Sequence, residues 1–259
     1  MDVWGGIDQI ARSDVNMVMT VNPQTKTILL TSIPRDSYVT LHSFGADDKL
    51  THSGIYGVEE TVSTVEDWLG YDMNYYIKAN FSMLVDIVDA IDGVDVYSDF
   101  EFKSSVADFY YNEGENHLSG MAALYFARER KAFEDEDIER GRNQQKVLKA
   151  MINKTTQSKV ILTKYTQLLD AVEDEMQTNM SEKDISSLVK MQINDMGKWT
   201  INTISITGTD AYAPTYSMGS QELAVVIPDE TSVEAAKQAI HDTTYPAYTK
   251  EKKNKSKTK

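Results

Sequence analysis

Apolar and polar positions change their period several times along the chain, and each change marks an element. Val15–Val21 (VNMVMTV) and Lys26–Ile33 (KTILLTSI) are β-prone runs separated by Asn22-Pro23-Gln24-Thr25, a spacing that predicts a hairpin or tight strand pair. From Gly54 to Leu69 the apolar residues Ile55, Val58, Val62, Val65, Trp68 and Leu69 recur at helical spacing. Asn74–Ala79 (NYYIKA) reads as a strand by its aromatic and β-branched content. A helix over Phe81–Ile91 is stopped by Asp92-Gly93, and Val94–Tyr97 is a short strand. Helices are predicted over Ser119–Arg130 and Ile138–Asn153, and around Val160–Glu173 and Glu182–Met196. Strands at Trp199–Thr207 and Ala224–Ile227 and a helix near Ser232–His241 complete the series. Strands alternating with helices of about ten or more residues predict an α/β fold, an α-β-α sandwich around a mixed central sheet with helices on both faces. No linker divides it, so residues 1–248 are expected to form one domain and 249–259 a basic disordered tail.

Charge narrows the function classes. The net charge is −14, and the last ten residues, KEKKNKSKTK, contribute +5, leaving the body near −19. Such a field repels nucleic acid and anionic membrane surfaces. A phosphate ligand would have to be held by a local basic cluster. Cysteine is absent, which excludes disulfides and thiol chemistry. No apolar run is long enough to span a bilayer. The chain runs abruptly from Met1-Asp2 into Trp4-Gly5-Gly6, as an excised portion of a longer protein would.

Of 26 basic residues only six are arginine, and four of those fall between Arg128 and Arg142. Arginine presents a planar fork that matches phosphate oxygens in pairs, whereas lysine is a point charge. The cluster therefore points to an anion site. It is equally compatible with ion pairs to Glu129, Glu134 and Asp137 on a solvated helix face. Arg140 and Gln144 share a helix face with Asp137, while Arg142 lies roughly 200° from Arg140 and should face solvent. Arg128 and Arg130 bracket a helix end. Arg12 and Arg35 flank strands, where α/β folds gather ligand-binding residues. Asp2 and Asp14 suit Mg²⁺, which takes one or two carboxylates plus phosphate oxygens. His42, His52, His117 and His241 show no metal-ligand spacing, and no serine stands in a nucleophile elbow. The helices over Phe81–Ile91 and Met121–Phe126 are apolar enough to line a lipid pocket, although such helices more often form core.

Taken in order, Asp2, Arg12-Ser13-Asp14, Ser32-Ile33-Pro34-Arg35-Asp36, Lys49-Leu50-Thr51-His52, Leu118-Ser119-Gly120 through Tyr125-x-x-Arg128-x-Arg130, and Asp137-x-x-Arg140 with Gln144-Gln145 resemble the LytR–CpsA–Psr family, nearest to its streptococcal capsule-locus members. The resemblance covers the chain from its first residue to about Lys154. It implies a phosphotransferase on the outer face of a Gram-positive cell membrane, anchored upstream of Met1. Such an enzyme moves a capsular or other glycopolymer from an undecaprenyl-pyrophosphate carrier to peptidoglycan. Arg12, Arg35, Arg128, Arg130 and Arg140 would surround the pyrophosphate with Gln144 in support, and Asp2 and Asp14 would hold Mg²⁺. Arg35, Arg128 and Arg130 would act in catalysis, and Asp14 or Asp36 would take the acceptor proton, with Asp36 slightly favoured because a metal ligand is a poor base. Asn143 stands where the family usually has arginine before the glutamine pair, which leaves the role of Arg142 open. A non-catalytic polyprenyl-phosphate binder or regulator and a polyprenyl-pyrophosphate hydrolase are the competing expectations. Direct DNA binding is disfavoured by the body charge and the lack of a helix-turn-helix signal.

Overall fold

The computed structural model describes residues 7, 10–134, 136–157, 163–170, 172, 174–195 and 197–246. In chain order the strands are β1 (Asn16–Asn22), β2 (Thr27–Ile33), β3 (Tyr38–Leu41), β4 (Ala46–Lys49), β5 (Ile77–Ala79), β6 (Val94–Ser98), β7 (Phe102–Lys103), β8 (Tyr110–Tyr111), β9 (Gly114–Leu118), β10 (Met176–Thr178), β11 (Thr200–Ser205), β12 (Gly208–Pro214) and β13 (Glu222–Pro228). The helices are α1 (Val58–Leu69), α2 (Phe81–Ala90), α3 (Gly120–Arg128), α4 (Glu136–Gln157), α5 (Tyr165–Asp170), α6 (Glu182–Asn194) and α7 (Glu230–Thr244).

The two β-prone runs form the expected antiparallel hairpin, in register from Asn16 opposite Ile33 to Asn22 opposite Thr27. Asn22 Oδ1 shapes the turn by accepting from the Gln24 and Thr25 amides at 3.0 and 3.1 Å. β11 then joins the other edge of β2 in parallel, so the sheet is mixed. Because side chains alternate along a strand, β2 serves two helical layers. Leu29 and Ile33 meet Val65 and Leu69 of α1 and Val233, Ala236 and Ile240 of α7. Ile28 and Leu30 point the other way, to Leu148 and Ile152 of α4 and Met191 of α6. This is the three-layer α/β arrangement that the alternation of elements predicts.

A further apolar cluster joins Val88 of α2, Val94 and Val96 of β6, Leu118 of β9, Ala122, Ala123 and Phe126 of α3, and Val147 of α4. Helix α4 thus packs on the sheet with one side and on this cluster with another. Gly120 lets α2 and α3 meet closely, since a Cβ there would lie 2.3 Å from the Val85 carbonyl oxygen.

Departures from the sequence reading have local causes. The run Gly54–Leu69 becomes helical only from Val58, because Gly57 has φ +114° and Gly54–Tyr56 forms a separate 3-10 turn. β3–β4 and β12 lack a clear apolar pattern. Their ladders come from partners: Tyr38–Leu41 with Ala46–Lys49, and Gly208–Pro214 with Glu222–Pro228. Of the predicted Val160–Glu173 helix region only residues 163–170 and 172 are described, and α5 occupies Tyr165–Asp170. Asp2 and the tail 249–259 lie outside the described residues. Among the described residues no helix is long and apolar enough to cross a membrane.

Candidate active site

Parallel strands β2 and β11 both end at one cavity of about 440 Å³. Its wall takes Ser32, Ile33, Pro34 and Arg35 from the end of β2, and Ser205, Ile206 and Thr207 from the end of β11. The first turns of α4 add Glu136, Asp137, Ile138, Arg140, Gly141 and Gln144, and Asp14, Arg130 and Asp210 close the rim. Open α/β sheets bind ligands at the carboxyl ends of their strands, where loops diverge and leave a crevice.

Three arginines converge here, Arg35 from the end of β2 and Arg130 and Arg140 from the α3–α4 connection and the first turns of α4. Arg35 follows β2, and its guanidinium lies 2.7 Å from Asp14 and 3.3 Å from Asp36. Burial draws the Arg35 pKa down, but Asp36 and Asp14 more than offset it and the net shift is upward. Arg130 sits in the α3–α4 connection, 3.0 Å from Asp137 and 3.5 Å from Glu136. Arg140, whose side chain is only 14% exposed, lies 2.8 Å from the other oxygen of Asp137. Burial holds the Arg140 pKa down against the pull of Asp137, and repulsion from Arg130 and Arg35 adds to it. The guanidinium remains protonated at physiological pH. A cation so desolvated and crowded by its own kind gains from an incoming anion.

Arg130 Nε is buried without a hydrogen-bond partner. Orphaned buried donors are uncommon because each costs its desolvation. Asp137 Oδ1 beside it, although paired with Arg140, also lacks a hydrogen bond, so the hydrogen bonding of this group is incomplete as it stands. The two sequence readings of the arginine cluster therefore meet: Arg130 and Arg140 pair with Asp137, yet the pairs line a cavity. Arg142 is the solvent-facing member, 55% exposed and paired with Glu139 one turn back.

The adjacent glutamines divide their work. Gln144 lines the cavity. Gln145 turns inward, its side-chain amide donating to the carbonyls of Leu30 and Ile204 at 3.3 and 2.7 Å, and so pins α4 across β2 and β11. Gly141 admits this close approach, since a Cβ there would stand 3.2 Å from Ser32 Oγ. A glycine between two arginines inside a helical pattern was the available sign of that contact. Asp210 and Thr207 were not anticipated, because they come from elements that carry no chemical motif, and Ser32 belongs to the Ser32–Asp36 run without having been given a role.

Other anticipated residues stand apart from the cavity wall. Arg12 is exposed, on a segment laid against Gly54, where Ser13 N donates to the Thr51 carbonyl at 2.9 Å. Arg128 ends α3 with its guanidinium 4.8 Å from the Phe81 ring centroid. Asp36 has one oxygen 3.0 Å from Lys49 Nζ and the other 3.3 Å from Arg35. A carboxylate engaged at both oxygens suits orienting Arg35 more than taking a proton. For a magnesium ion the cavity offers Asp14, half exposed and bound by Arg35 through one oxygen. That donor fits a hard ion that draws most of its ligands from phosphate and water. His52 belongs to a separate buried group described below.

The two apolar helices also differ. In α3, Ala122, Ala123, Leu124 and Phe126 are buried core. In α2 only Val88 is fully buried, although Phe81, Met83, Leu84, Val85 and Ile87 are apolar, so much of this face is partly open.

The chain is similar to known proteins over most of its length. The model of the LytR_cpsA_psr family matches residues 3–239. A polyisoprenyl-teichoic acid–peptidoglycan teichoic acid transferase, TagU, of Bacillus mycoides is 37% identical over 180 residues, 69% of this chain and 58% of that protein. TagU of Bacillus licheniformis is 37% identical over 67% of this chain and 56% of that protein. The chain thus spans less than two thirds of the length of these relatives. Among solved structures, TagV of B. subtilis superposes with a TM-score of 0.73 at 30% identity, covering 90% of this chain and 89% of that one. A TagT structure described as bound to LI-WTA superposes with a TM-score of 0.72 at 28% identity, covering 93% and 88%.

Proposed function

The chain belongs to the LytR–CpsA–Psr family, and on that premise we propose that it transfers a wall glycopolymer from a polyprenyl-pyrophosphate carrier to peptidoglycan. The carrying observation is the convergence of Arg35, Arg130 and Arg140 on one cavity, with a donor of Arg130 left unmet, in a chain of net charge −14. A pyrophosphate held against that field needs such local guanidiniums, and the carboxylates that also line the cavity suit an accompanying divalent cation. The relatives named as teichoic acid transferases favour a polymer of the teichoic acid class over a capsular one. We assign the domain to the outer face of a Gram-positive cell membrane, where carrier and wall meet.

In this reading the pyrophosphate lies among Arg35, Arg130, Arg140 and Gln144, and Arg12, exposed outside the cavity wall, has no contact with it. Arg128 stands over Phe81, the first residue of α2, and so marks where a charged headgroup would give way to an apolar tail along the open face of α2. The acceptor sugar hydroxyl attacks the phosphorus that carries the glycan. Its oxygen–phosphorus bond forms as the bond to the lipid phosphate breaks. The hydroxyl proton passes to a carboxylate of the cavity, and polyprenyl monophosphate leaves. Charge building on the non-bridging and leaving oxygens is met by the arginines, fixed in place before the reaction, which is the main device of phosphoryl transfer. Asp14, with Asp2, would hold Mg²⁺, which supplies further neutralisation of phosphate charge when bound.

The test is a transfer assay with a polyprenyl-pyrophosphate-linked glycan and soluble peptidoglycan fragments, analysed by mass spectrometry. A product joined through a phosphodiester supports the proposal. Binding of the carrier with no product would identify a binder, and release of free glycan phosphate would identify a hydrolase.

A further inference from the structure

Three aromatic rings gather outside the cavity. Phe44 stacks on Tyr216 at 4.7 Å between centroids and 28° between planes. Tyr56 lies 4.6 Å from Phe44 and 6.3 Å from Tyr216. All three are more than a third exposed, and neither the Tyr56 nor the Tyr216 hydroxyl bonds to another described residue. Isolated exposed rings are ordinary, but a contiguous group on a soluble surface marks an interaction site.

The rings are held by buried polar groups that the phosphate cavity does not use. Glu60, 7% exposed, accepts from the Ser43 amide and fixes the turn that carries Phe44. Asp48, wholly buried, accepts from the Ser217 amide at 2.8 Å and pairs with His52 at 2.7 Å, fixing the turn that carries Tyr216. Ser217 Oγ meets the same His52 nitrogen, Nδ1, as Asp48 does. That geometry braces a loop and does not activate a serine. Ser53 donates to Leu50 O and contacts Thr61, fixing the turn that carries Tyr56. Burying such groups is costly unless they are hydrogen-bonded, and here the bonds that offset the cost are the ones that hold the turns.

We infer that the Phe44–Tyr56–Tyr216 platform is a subsite for an uncharged sugar chain, the glycan strand of the acceptor, an identity that rests on the transferase reading above. Ring faces stack on the C–H faces of sugars, and free phenol hydroxyls meet their hydroxyl groups. Charge selects between the two polymers. No cation stacks on any of these rings among the described residues, and the Tyr56 phenol is raised by burial first, then by Asp48, Tyr216 and Glu60. A polyanionic donor is disfavoured there; a neutral strand is not. One segment links the platform to the cavity. Tyr56 follows Gly54, against which Ala11 to Ser13 lie, and Asp14 is already on the cavity wall.

Chitohexaose, an uncharged chain of N-acetylglucosamine, is the probe, titrated into the whole chain by calorimetry and followed by amide NMR. It should shift residues around Phe44, Tyr56 and Tyr216. The double variant Phe44→Ala/Tyr216→Ala should weaken binding about tenfold or more with an unchanged melting temperature. Tyr216→Phe, which keeps the ring, should lose less. Poly(glycerol phosphate) should not displace the sugar. Absence of binding up to the solubility limit, equal affinity in the double variant, or displacement by the polyanion would each overturn the inference. If chitohexaose binds at these rings but the transfer assay gives no product, the transferase reading falls while the sugar subsite stands.

Discussion

Removing the Glu129 carboxylate should unhinge the loop that aims Arg130 into the cavity. Glu129 sits between Arg128 and Arg130 with no exposed surface. It accepts from the backbone amides of Ser105, Arg130 and Ala132 at 2.6, 3.0 and 3.2 Å. Truncation to Ala leaves three donors facing a void, each costing about 1–3 kcal/mol if water does not reach it. With partial relaxation a loss of roughly 3–5 kcal/mol follows, a large fraction of a domain's stability. Burial raises the Glu129 pKa, but the amides of Ser105, Arg130 and Ala132 outweigh it and the net shift is downward. A pKa lower in the folded than in the unfolded state means that this stabilisation is fully present above the unfolded value of about 4.3. It is lost as pH falls through the folded value. Glu129→Gln, which keeps shape but not charge, should therefore be less stable than wild type at pH 7, and the gap should close on acidification. Urea denaturation across that range measures it. A gap that stays constant with pH, or an Ala variant within about 1 kcal/mol of wild type, would refute the role given to the carboxylate.

Arg130→Ala and Arg140→Ala should each lower glycopolymer transfer by about 10²–10³-fold, read as initial rates in the phosphodiester-forming assay, with little change in melting temperature for Arg130. The neighbouring glutamines should separate cleanly: Gln144→Ala weakens carrier binding at unchanged stability, whereas Gln145→Ala costs about 1–3 kcal/mol in denaturant titration by orphaning the Leu30 and Ile204 carbonyls. Gly120→Ala should push α2 from α3 and cost about 1–3 kcal/mol, because its Cβ meets the Val85 carbonyl; a neutral effect in thermal unfolding would contradict that contact. Chelation with EDTA should depress transfer in the wild type, and Asp14→Asn should raise the magnesium concentration needed to restore it; transfer indifferent to chelator would remove the ion from the proposal.

Several features were legible in the residues alone. The β1–β2 hairpin and the helices α2, α3 and α4 follow from periods and breakers that act over a few positions, and a local rule is enough to read them. The face shared by Asp137, Arg140 and Gln144, and the outward turn of Arg142, follow from helical rotation. Strands such as Ala46–Lys49 (ADDK) escaped because their stability comes from a partner and from the burial of Asp48, which no local pattern encodes.

By itself the sequence determined the elements, the scarcity and placement of arginine, and the family order of motifs, since composition and short-range periodicity are properties of the chain as written. Only the tertiary structure decided which arginines meet. Parallel pairing of β2 with β11 and the docking of α4 across them bring Arg35, Arg130 and Arg140 to one cavity, while Arg12 is exposed on a neighbouring segment and Arg128 turns to Phe81. Tertiary structure alone also assembled Phe44, Tyr56 and Tyr216 into one surface. Convergence is set by long-range strand order and helix docking, and these depend on burying apolar faces together, which distance along the chain does not reveal.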